Sequence, residues 1–246
     1  MDRMIFIAMS GAKEAMTAQA VNTNNLANVS TTGFRSDFES RLSQQVYGPG
    51  QPSRVYGSVE GSGIDFSQGS IVSTGRELDM AINGNGWLAV QAPDGSEAYT
   101  RAGDLRVDEL GRLTTGSGLA VLGNGGPVSI PPSAKLEIGG DGTISIQPIG
   151  QAVNTLAVVD RIKLVNPPHA QLRKGEDGLI RLASGQPALA DANVTVVSGS
   201  LESSNVNSVE AMVRMIELAR EFETHVKMMR TAEENDKAAS AIMQMS

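Results

Sequence analysis

Residues 208–246 read SVEAMVRMIELAREFETHVKMMRTAEENDKAASAIMQMS, a stretch without proline or glycine. Its apolar residues recur at alternating spacings of three and four, a repeat typical of helices that pack against other helices. The main stripe is formed by Met212, Met215, Ala219, Phe222, Val226 and Met229. A second stripe beside it is formed by Val209, Val213 and Ile216. The pattern predicts one helix of about 37 residues, which would be about 55 Å long.

The N-terminal part of the chain has a helical pattern too. Residues 4–29 contain no proline and a single glycine, Gly11. One helical face carries apolar residues at spacings of four, three and four, namely Ile5, Met9, Ala12 and Met16. The turn formers of residues 30–33, Ser-Thr-Thr-Gly, are expected to end this helix. The sequence therefore predicts a helix at each end of the chain.

Between the helices the apolar residues alternate with a period of two. Residues 135–138 (KLEI) and 143–146 (TISI) alternate, and the four residues between them (GGDG) are typical of a hairpin turn. Further turn signals occur at Asp94-Gly95, Leu110-Gly111 and Asp177-Gly178. Other short strands are predicted at 87–91, 119–122, 158–165, 179–182 and 194–197. Many short strands with regular turns indicate an all-β domain of sandwich or irregular barrel type.

The chain is therefore predicted to have an α+β fold. The terminal helices, within residues 1–33 and 205–246, are expected to pair as a coiled-coil domain, and residues 64–204 to form a mainly antiparallel β domain. Residues 34–63 contain Gly48-Pro49-Gly50 and spaced apolar residues such as Phe38 and Leu42. This composition predicts an extended linker laid along another surface.

The composition limits the classes of partner. The chain has 20 basic and 27 acidic residues, a formal net charge of -7, and so no general attraction to the phosphates of a nucleic acid. It has no cysteine, which excludes disulfides and thiolate metal sites. No apolar run approaches the ~18 residues of a membrane span, and the run from Met4 to Met9 is too short for a secretory signal. We expect neither nucleic-acid binding nor membrane insertion, and any export must use a route without a cleaved signal peptide.

The two terminal helices carry more apolar surface than either can bury alone. Amphipathic helices of this kind gain most of their stability from packing, and the simplest arrangement pairs the two. Because the C-terminal helix has two apolar stripes, one remains after pairing and predicts a partner chain. Many copies joined head to tail would then make a ring or a helical tube. Periodicity alone leaves an alternative open, a monomeric helical hairpin docked on the β domain.

Three groups of residues resemble the signatures of bacterial flagellar rod and hook proteins. The first is NNLAN at 24–28, followed by STTGF at 30–34. The second is DMAINGNGW at 79–87, followed by YTRAG at 99–103 and VDELGRL at 107–113. The third is LESSNVN at 201–207, followed by Val209-Glu210 and by 212–216. The matches keep their order along nearly the whole chain, which is identified on them as a member of this family.

Within the family, the opening Met1-Asp2-Arg3 and the Trp87-Leu88 pair resemble proximal rod subunits. Distal rod and hook relatives usually have two phenylalanines at the latter position. A distal rod or hook-like subunit stays an alternative. So does a protein of another class, a surface-binding or carbohydrate-processing β protein with helical anchors.

The resemblance implies a fold and a role. The terminal helices would form a coiled coil lining an axial tube, with the β-rich part as an outer domain. The chain would be exported by the flagellar type III apparatus without a cleaved signal. It would then assemble with other copies and with neighbouring rod subunits into a periplasmic rod that transmits motor torque to the hook.

The predicted assembly interface combines the apolar stripes with the amides at the end of the first helix. Amides at a helix end can bond backbone groups of their own chain, as a cap, or those of a neighbouring chain. The interface residues are Ile5, Met9, Ala12, Met16, Asn24, Asn25, Leu26, Asn28, Met212, Met215, Ile216, Ala219, Phe222, Val226 and Met229.

No residue pattern points to catalysis. Residues 84–89 match the loose GxGxxG/A dinucleotide pattern, but β-type sequence follows where a nucleotide site needs a helix. His169 and His225 are the only imidazoles, and there is no GxSxG sequence around a serine. We therefore predict a protein that is not an enzyme and that has no catalytic residue, cofactor or metal ion.

Overall fold

The structure of the chain is a computed structural model that describes residues 4–45, 55–148 and 156–244. The described residues group into two compact units. The helical unit takes residues from within 1–29, 36–65 and 206–246, and the β unit takes those within 30–35 and 66–205. Helices at both ends and an antiparallel β middle confirm the predicted α+β class.

The helical unit contains both long helices. Helix α1 spans Met4–Ala27 and helix α2 spans Ser208–Gln244, 37 residues in all. Asn207 caps α2, because its side-chain Oδ1 accepts hydrogen bonds from the backbone N–H groups of Val209 (3.1 Å) and Glu210 (3.4 Å). None of the described helices is long and apolar enough to cross a membrane.

The helical unit also holds a β-hairpin. Strand β1 (Asp37–Gln45) pairs antiparallel with strand β2 (Val55–Ile64). The sequence had assigned 34–63 to an extended linker, whereas the described part of this segment is a paired ribbon that groups with the helices. The apolar residues Phe38 and Leu42 are four apart, an even spacing that puts both on one face of a strand. The expected turn formers at 48–50 lie outside the described residues.

The β unit consists of short strands. In chain order they are β3 (Ile71–Ser73), β4 (Met80–Asn83), β5 (Trp87–Gln91), β6 (Glu97–Thr100), β7 (Leu105–Val107), β8 (Leu113–Thr115), β9 (Ala120–Val121), β10 (Ser133–Ile138), β11 (Thr143–Pro148), β12 (Ala157–Arg161), β13 (Leu164–Val165), β14 (Leu172–Lys174), β15 (Ile180–Leu182), β16 (Thr195–Ser198) and β17 (Ser200–Glu202). One 3-10 turn spans His169–Gln171. Strands were thus predicted correctly at every expected position, although the run at 158–165 divides into β12 and β13.

All described strand pairs of the β unit are antiparallel. The largest sheet has eight strands, in the order β14-β15-β6-β5-β9-β8-β7 with β13 also paired to β5. The smaller sheets are β10-β11-β12, β16-β4 and β17-β3. The predicted turn at 139–142 joins β10 to β11, and Gly142 there has a positive φ of 82°, which glycine adopts without strain.

Strand β5 lies at the centre of the packing. Its side chains alternate between two buried clusters: Leu88 and Val90 join one, and Trp87 and Ala89 join the other. When both faces of a strand are buried, its sequence is a continuous run of apolar residues. This accounts for the WLAV sequence, and a β-strand after Gly86 leaves no helix N-terminus for a dinucleotide.

Candidate assembly surface on the paired helices

The two helices of the helical unit run antiparallel to each other. Near the end of α1, the Asn22 side-chain Nδ2 donates a 2.8 Å hydrogen bond to the backbone carbonyl of Ala211, at the start of α2. Eleven residues earlier, Gly11 faces His225, and a Cβ on Gly11 would lie 2.3 Å from the imidazole Cε1. The two contacts fix the direction and the register of the pair.

Small residues form the contact on the α1 side. Ala8, Ala12 and Ala15 are buried, and Gly11 gives space to an imidazole ring. On α2 the residues that pack inward follow an uninterrupted seven-residue spacing. They are Ala211, Leu218, His225 and Ala232. Small side chains allow helix axes to approach closely. We call this line of contact the seam.

Several large apolar side chains lie outside the seam and are exposed. On α1 they are Ile5, Phe6, Met9 and Met16, which are between 38% and 59% exposed. On α2 they are Val209, Met212, Val213 and Ile216, which are between 51% and 69% exposed. We call these sets the α1 stripe and the α2 stripe. A helix turns by about 100° per residue, so Ile216 lies about 200° around α2 from the seam residue Leu218.

The two stripes leave apolar side chains in water that a stable monomer would be expected to bury. A buried Met, Ile or Phe side chain contributes roughly 1.5–3 kcal/mol more than the same side chain left in water. Here the described helices bury mainly alanines, together with Leu218, and leave the α1 stripe and the α2 stripe largely in solvent. Contiguous exposed apolar surface of this kind marks an interaction site.

The asparagines at the end of α1 bond to their own chain. Asn25 holds Asp37 at both backbone groups, because its Nδ2 donates to the Asp37 carbonyl (2.8 Å) and its Oδ1 accepts from the Asp37 N–H (2.9 Å). The Asn28 side-chain Nδ2 donates to the carbonyl of Asn24 at 2.9 Å, as a helix cap does. These amides therefore join α1 to strand β1 and close its last turn.

The structure places the residues of the predicted interface in three settings. Exposed are Ile5, Met9, Met16, Asn24, Met212 and Ile216. Half-buried are Asn25, Leu26, Asn28, Met215, Ala219, Phe222, Val226 and Met229. Ala12 is 5% exposed and belongs to the seam within the chain. The interface predicted from the sequence does not include the exposed Phe6, and the seam through Leu218 was not predicted. The seven-residue spacing of Ala211 and Leu218 is nevertheless present in the sequence.

The family-like motifs meet inside the β unit in a buried ion cluster. The Glu202 carboxylate, from LESSNVN, accepts from the Arg35 Nη2 at 2.6 Å and from the Arg101 Nη1 at 2.7 Å. It also accepts from the backbone N–H of Gly69 at 3.0 Å. All three charged side chains are buried, with 1% of Glu202 exposed. Burial lowers the pKa of the Arg101 guanidinium, and the hydrogen bond to Glu202 opposes that shift.

The same cluster joins the other motifs. The Arg101 Nε donates to the carbonyl of Gly86 at 2.9 Å, and its guanidinium lies 5.4 Å from the centre of the Trp87 ring. The Arg35 guanidinium lies 5.9 Å from the same ring. Residues distant in sequence therefore share one site, which gives a physical reason for their occurrence together.

Comparison with known proteins agrees with these features. Three family profiles match: a flagellar basal-body rod protein at residues 5–35, the D1 domain of the FlgE, FlgF and FlgG proteins at 81–146, and the C-terminal part of the same proteins at 197–242. Flagellar basal-body rod protein FlgF of Escherichia coli is 40% identical, and the match covers all of both chains. FlgF of Salmonella typhimurium is 39% identical with the same coverage.

A related protein of a second type matches nearly as completely. Flagellar basal-body rod protein FlgG of Bacillus subtilis is 34% identical over 94% of this chain and 96% of its own length. Identity at this level over whole chains confirms the family that the sequence motifs predicted. The chain belongs to the flagellar basal-body rod protein family, in which FlgF proteins match it from end to end.

Proposed function

We propose that the chain is a structural subunit of the flagellar rod that joins other subunits through the exposed apolar stripes of its terminal helices. The observation that carries the proposal is the exposed apolar surface of the helical unit: the seam buries mainly alanines, whereas the side chains of the α1 stripe and the α2 stripe are 38% to 69% exposed. Burying those side chains against neighbouring chains would recover the free energy that the monomer leaves unused. Since the relatives are flagellar rod proteins, the chain is a structural protein and not an enzyme.

Family membership supports finer features of the proposed role. The paired helices would act as the coiled-coil domain lining the axial channel, in the proximal part of the rod. Copies of the chain and neighbouring rod subunits would be its partners. Export through the flagellar type III apparatus would place the subunit in the periplasm. The FlgF relatives at 40% and 39% identity favour the proximal position.

A distal rod or hook-like subunit is the second candidate, and the 34% identity to a FlgG protein is the observation that favours it. Antibody labelling of isolated basal bodies separates the two, since it reports whether the chain lies toward the base or toward the hook.

Deletion of the gene, followed by electron microscopy of isolated basal bodies, tests the function itself. We expect hooks and filaments to be lost, and to return with the intact gene. A strain that still builds normal flagella without the gene would exclude the proposal.

Point variants test the surface. Ile216→Glu and Met16→Glu place a charge in the stripes and are expected to block assembly, since burying an unpaired charge is strongly unfavourable. Both side chains are exposed, so the helices should fold, which circular dichroism would check. Leu189→Glu is the matched control, because Leu189 is a 91% exposed apolar residue of the β unit. Swimming that is normal in the stripe variants, or lost equally in the control, would contradict the assignment.

A further inference from the structure

Asparagine is followed directly by glycine at three positions of the chain, Asn83, Asn85 and Asn124. In this dipeptide the backbone nitrogen of the glycine can attack the side-chain amide of the asparagine with little hindrance, because glycine has no Cβ. The side chains of all three asparagines are exposed. Sequence and exposure alone therefore do not distinguish the three positions, and any difference between them must come from the folded backbone around each one.

Two of the asparagines, Asn83 and Asn85, lie in the turn between β4 and β5, which is tied to the buried ion cluster. The Arg101 Nη2 donates a hydrogen bond to the carbonyl of Gly84, and the Arg101 Nε donates one to the carbonyl of Gly86 at 2.9 Å. The Arg101 side chain is itself buried. Asn83 is also the last residue of β4, which pairs with β16. The glycine after each of these asparagines is therefore fixed to the interior of the β unit.

The third asparagine, Asn124, lies at the tip of a different loop, which follows strand β9. The loop is closed at its base, where the Gly123 N–H donates to the Gly126 carbonyl at 2.7 Å. Between these two residues, the Asn124 side chain and the Gly125 N–H have no hydrogen-bond partner among the residues that the structure describes. Gly125 is exposed as well, and a Cβ added to it would meet open space.

We propose that the folded protein undergoes deamidation selectively at Asn124. The backbone nitrogen of Gly125 attacks the side-chain Cγ of Asn124, so that a new N–Cγ bond closes a succinimide ring. The bond from Cγ to the side-chain nitrogen breaks, and this nitrogen leaves as ammonia with the proton that the backbone nitrogen has lost. Water then opens the ring. Hydrolysis at Cγ gives aspartate, whereas hydrolysis at the backbone carbonyl carbon gives isoaspartate, in which the main chain continues through Cγ.

The structure selects Asn124 because ring closure requires movement of the backbone. The attacking nitrogen and Cγ must come close in an aligned geometry, so the asparagine side chain and the following peptide group both rotate. At Asn124 these groups are unbonded within the described chain, and the rotation breaks no hydrogen bond there. At Asn83 and Asn85 the same movement displaces a glycine whose carbonyl is held by a guanidinium, and hydrogen bonds to charged groups are the stronger kind.

The reaction would place a new negative charge near an existing one. The Asp160 carboxylate packs against Gly123, because a Cβ added to Gly123 would collide with the Asp160 Oδ2. A carboxylate at position 124 is one residue from this contact, and like charges repel. Isoaspartate would also lengthen the backbone inside the loop that the bond between Gly123 and Gly126 closes. Deamidation is therefore expected to destabilise this loop of the β unit.

Peptide mass spectrometry of the full-length protein measures the three rates in one sample. The purified chain is incubated at mildly alkaline pH and digested at acidic pH, and fragmentation of the peptides assigns each conversion of an amide to an acid. We expect Asn124 to react roughly tenfold or more faster than Asn83 or Asn85, a ratio that corresponds to about 1.4 kcal/mol in the barrier. In concentrated urea, which unfolds the β unit, the three should react at similar rates.

Gly125→Ala provides the matched variant. Its added methyl group meets open space, so the fold should be retained, but the methyl group hinders the attack on Cγ. Asn124 should then react roughly tenfold more slowly, while the rates at Asn83 and Asn85 stay unchanged. Similar rates at the three asparagines of the folded protein, or an unchanged Asn124 rate in Gly125→Ala, would overturn the proposal. The isolated chain is used throughout, so the outcome does not depend on assembly.

Discussion

The buried ion cluster of the β unit allows a quantitative prediction for Glu202→Ala. The substitution removes the carboxylate that lies 2.6 Å from one guanidinium and 2.7 Å from another, and leaves Arg35 and Arg101 buried without their shared anion. Removing one partner of a buried ion pair costs roughly 3–5 kcal/mol, because the remaining charge cannot regain its hydration. Since a domain is stabilised by only about 5–15 kcal/mol, a loss of about 4 kcal/mol removes a large share of its stability.

The assay is urea unfolding followed by tryptophan fluorescence. Trp87 is the only tryptophan of the chain, and its ring contacts both guanidiniums, so the signal reports the β unit at the cluster itself. With a slope of about 2 kcal/mol per M of urea, a loss of about 4 kcal/mol moves the midpoint down by about 2 M.

A surface pair serves as the control. Glu137 lies 2.5 Å from the Lys135 ammonium, but both side chains are nearly half exposed. Glu137→Ala should therefore change the unfolding free energy by less than about 1 kcal/mol. If Glu202→Ala lowered the unfolding free energy by no more than this control does, the reasoning about desolvated charge would be refuted.

Three further predictions follow from the β unit. Gly33→Ala should lower the unfolding free energy by about 2 kcal/mol more than Gly95→Ala in the same urea assay. Both glycines have positive φ, but only at Gly33 would the added Cβ lie 2.2 Å from a backbone carbonyl carbon, that of Arg101. Similar losses in the two variants would contradict this. The hydrogen-bonded guanidinium of Arg181 lowers the pKa of Asp177 from its usual value of 3.8. The stability that the ionised Asp177 gives the folded β unit should therefore be fully present above pH 3.8 and should be lost as the pH falls through the lowered pKa. Asp177→Asn should flatten the acid limb of a stability-against-pH curve, and an unchanged limb would count against the pairing. Burial raises the pKa of Tyr99 from 10.0 to about 12. The stability that the protonated hydroxyl gives the folded β unit should therefore be lost as the pH rises from 10.0 to about 12. Tyr99→Phe should remove that loss from alkaline unfolding curves.

Element type could be predicted from the sequence because local chemistry repeats along it. Turn residues such as Gly142 require positive φ, and the alternation of residues 143–146 requires a strand with one buried face. The hairpin of β1 and β2 was harder to predict, because it is a two-stranded ribbon with exposed apolar residues such as Phe38. Its apolar spacing of four fits a strand face as well as a helical turn.

The sequence by itself determined the α+β class, the two terminal helices, the turns of the β unit and the family, since each depends on short-range spacing or on ordered motifs. Only the tertiary structure decided which face of each helix is used within the chain. The stripe of large side chains has the stronger apolar signal, yet the helices pair through Ala8, Ala12 and Ala15, because small residues permit close approach. The tertiary structure also brought Arg35, Arg101 and Glu202 together. The spacing of residues along the sequence does not predict this contact, because burial and charge pairing depend on neighbours that are remote in sequence.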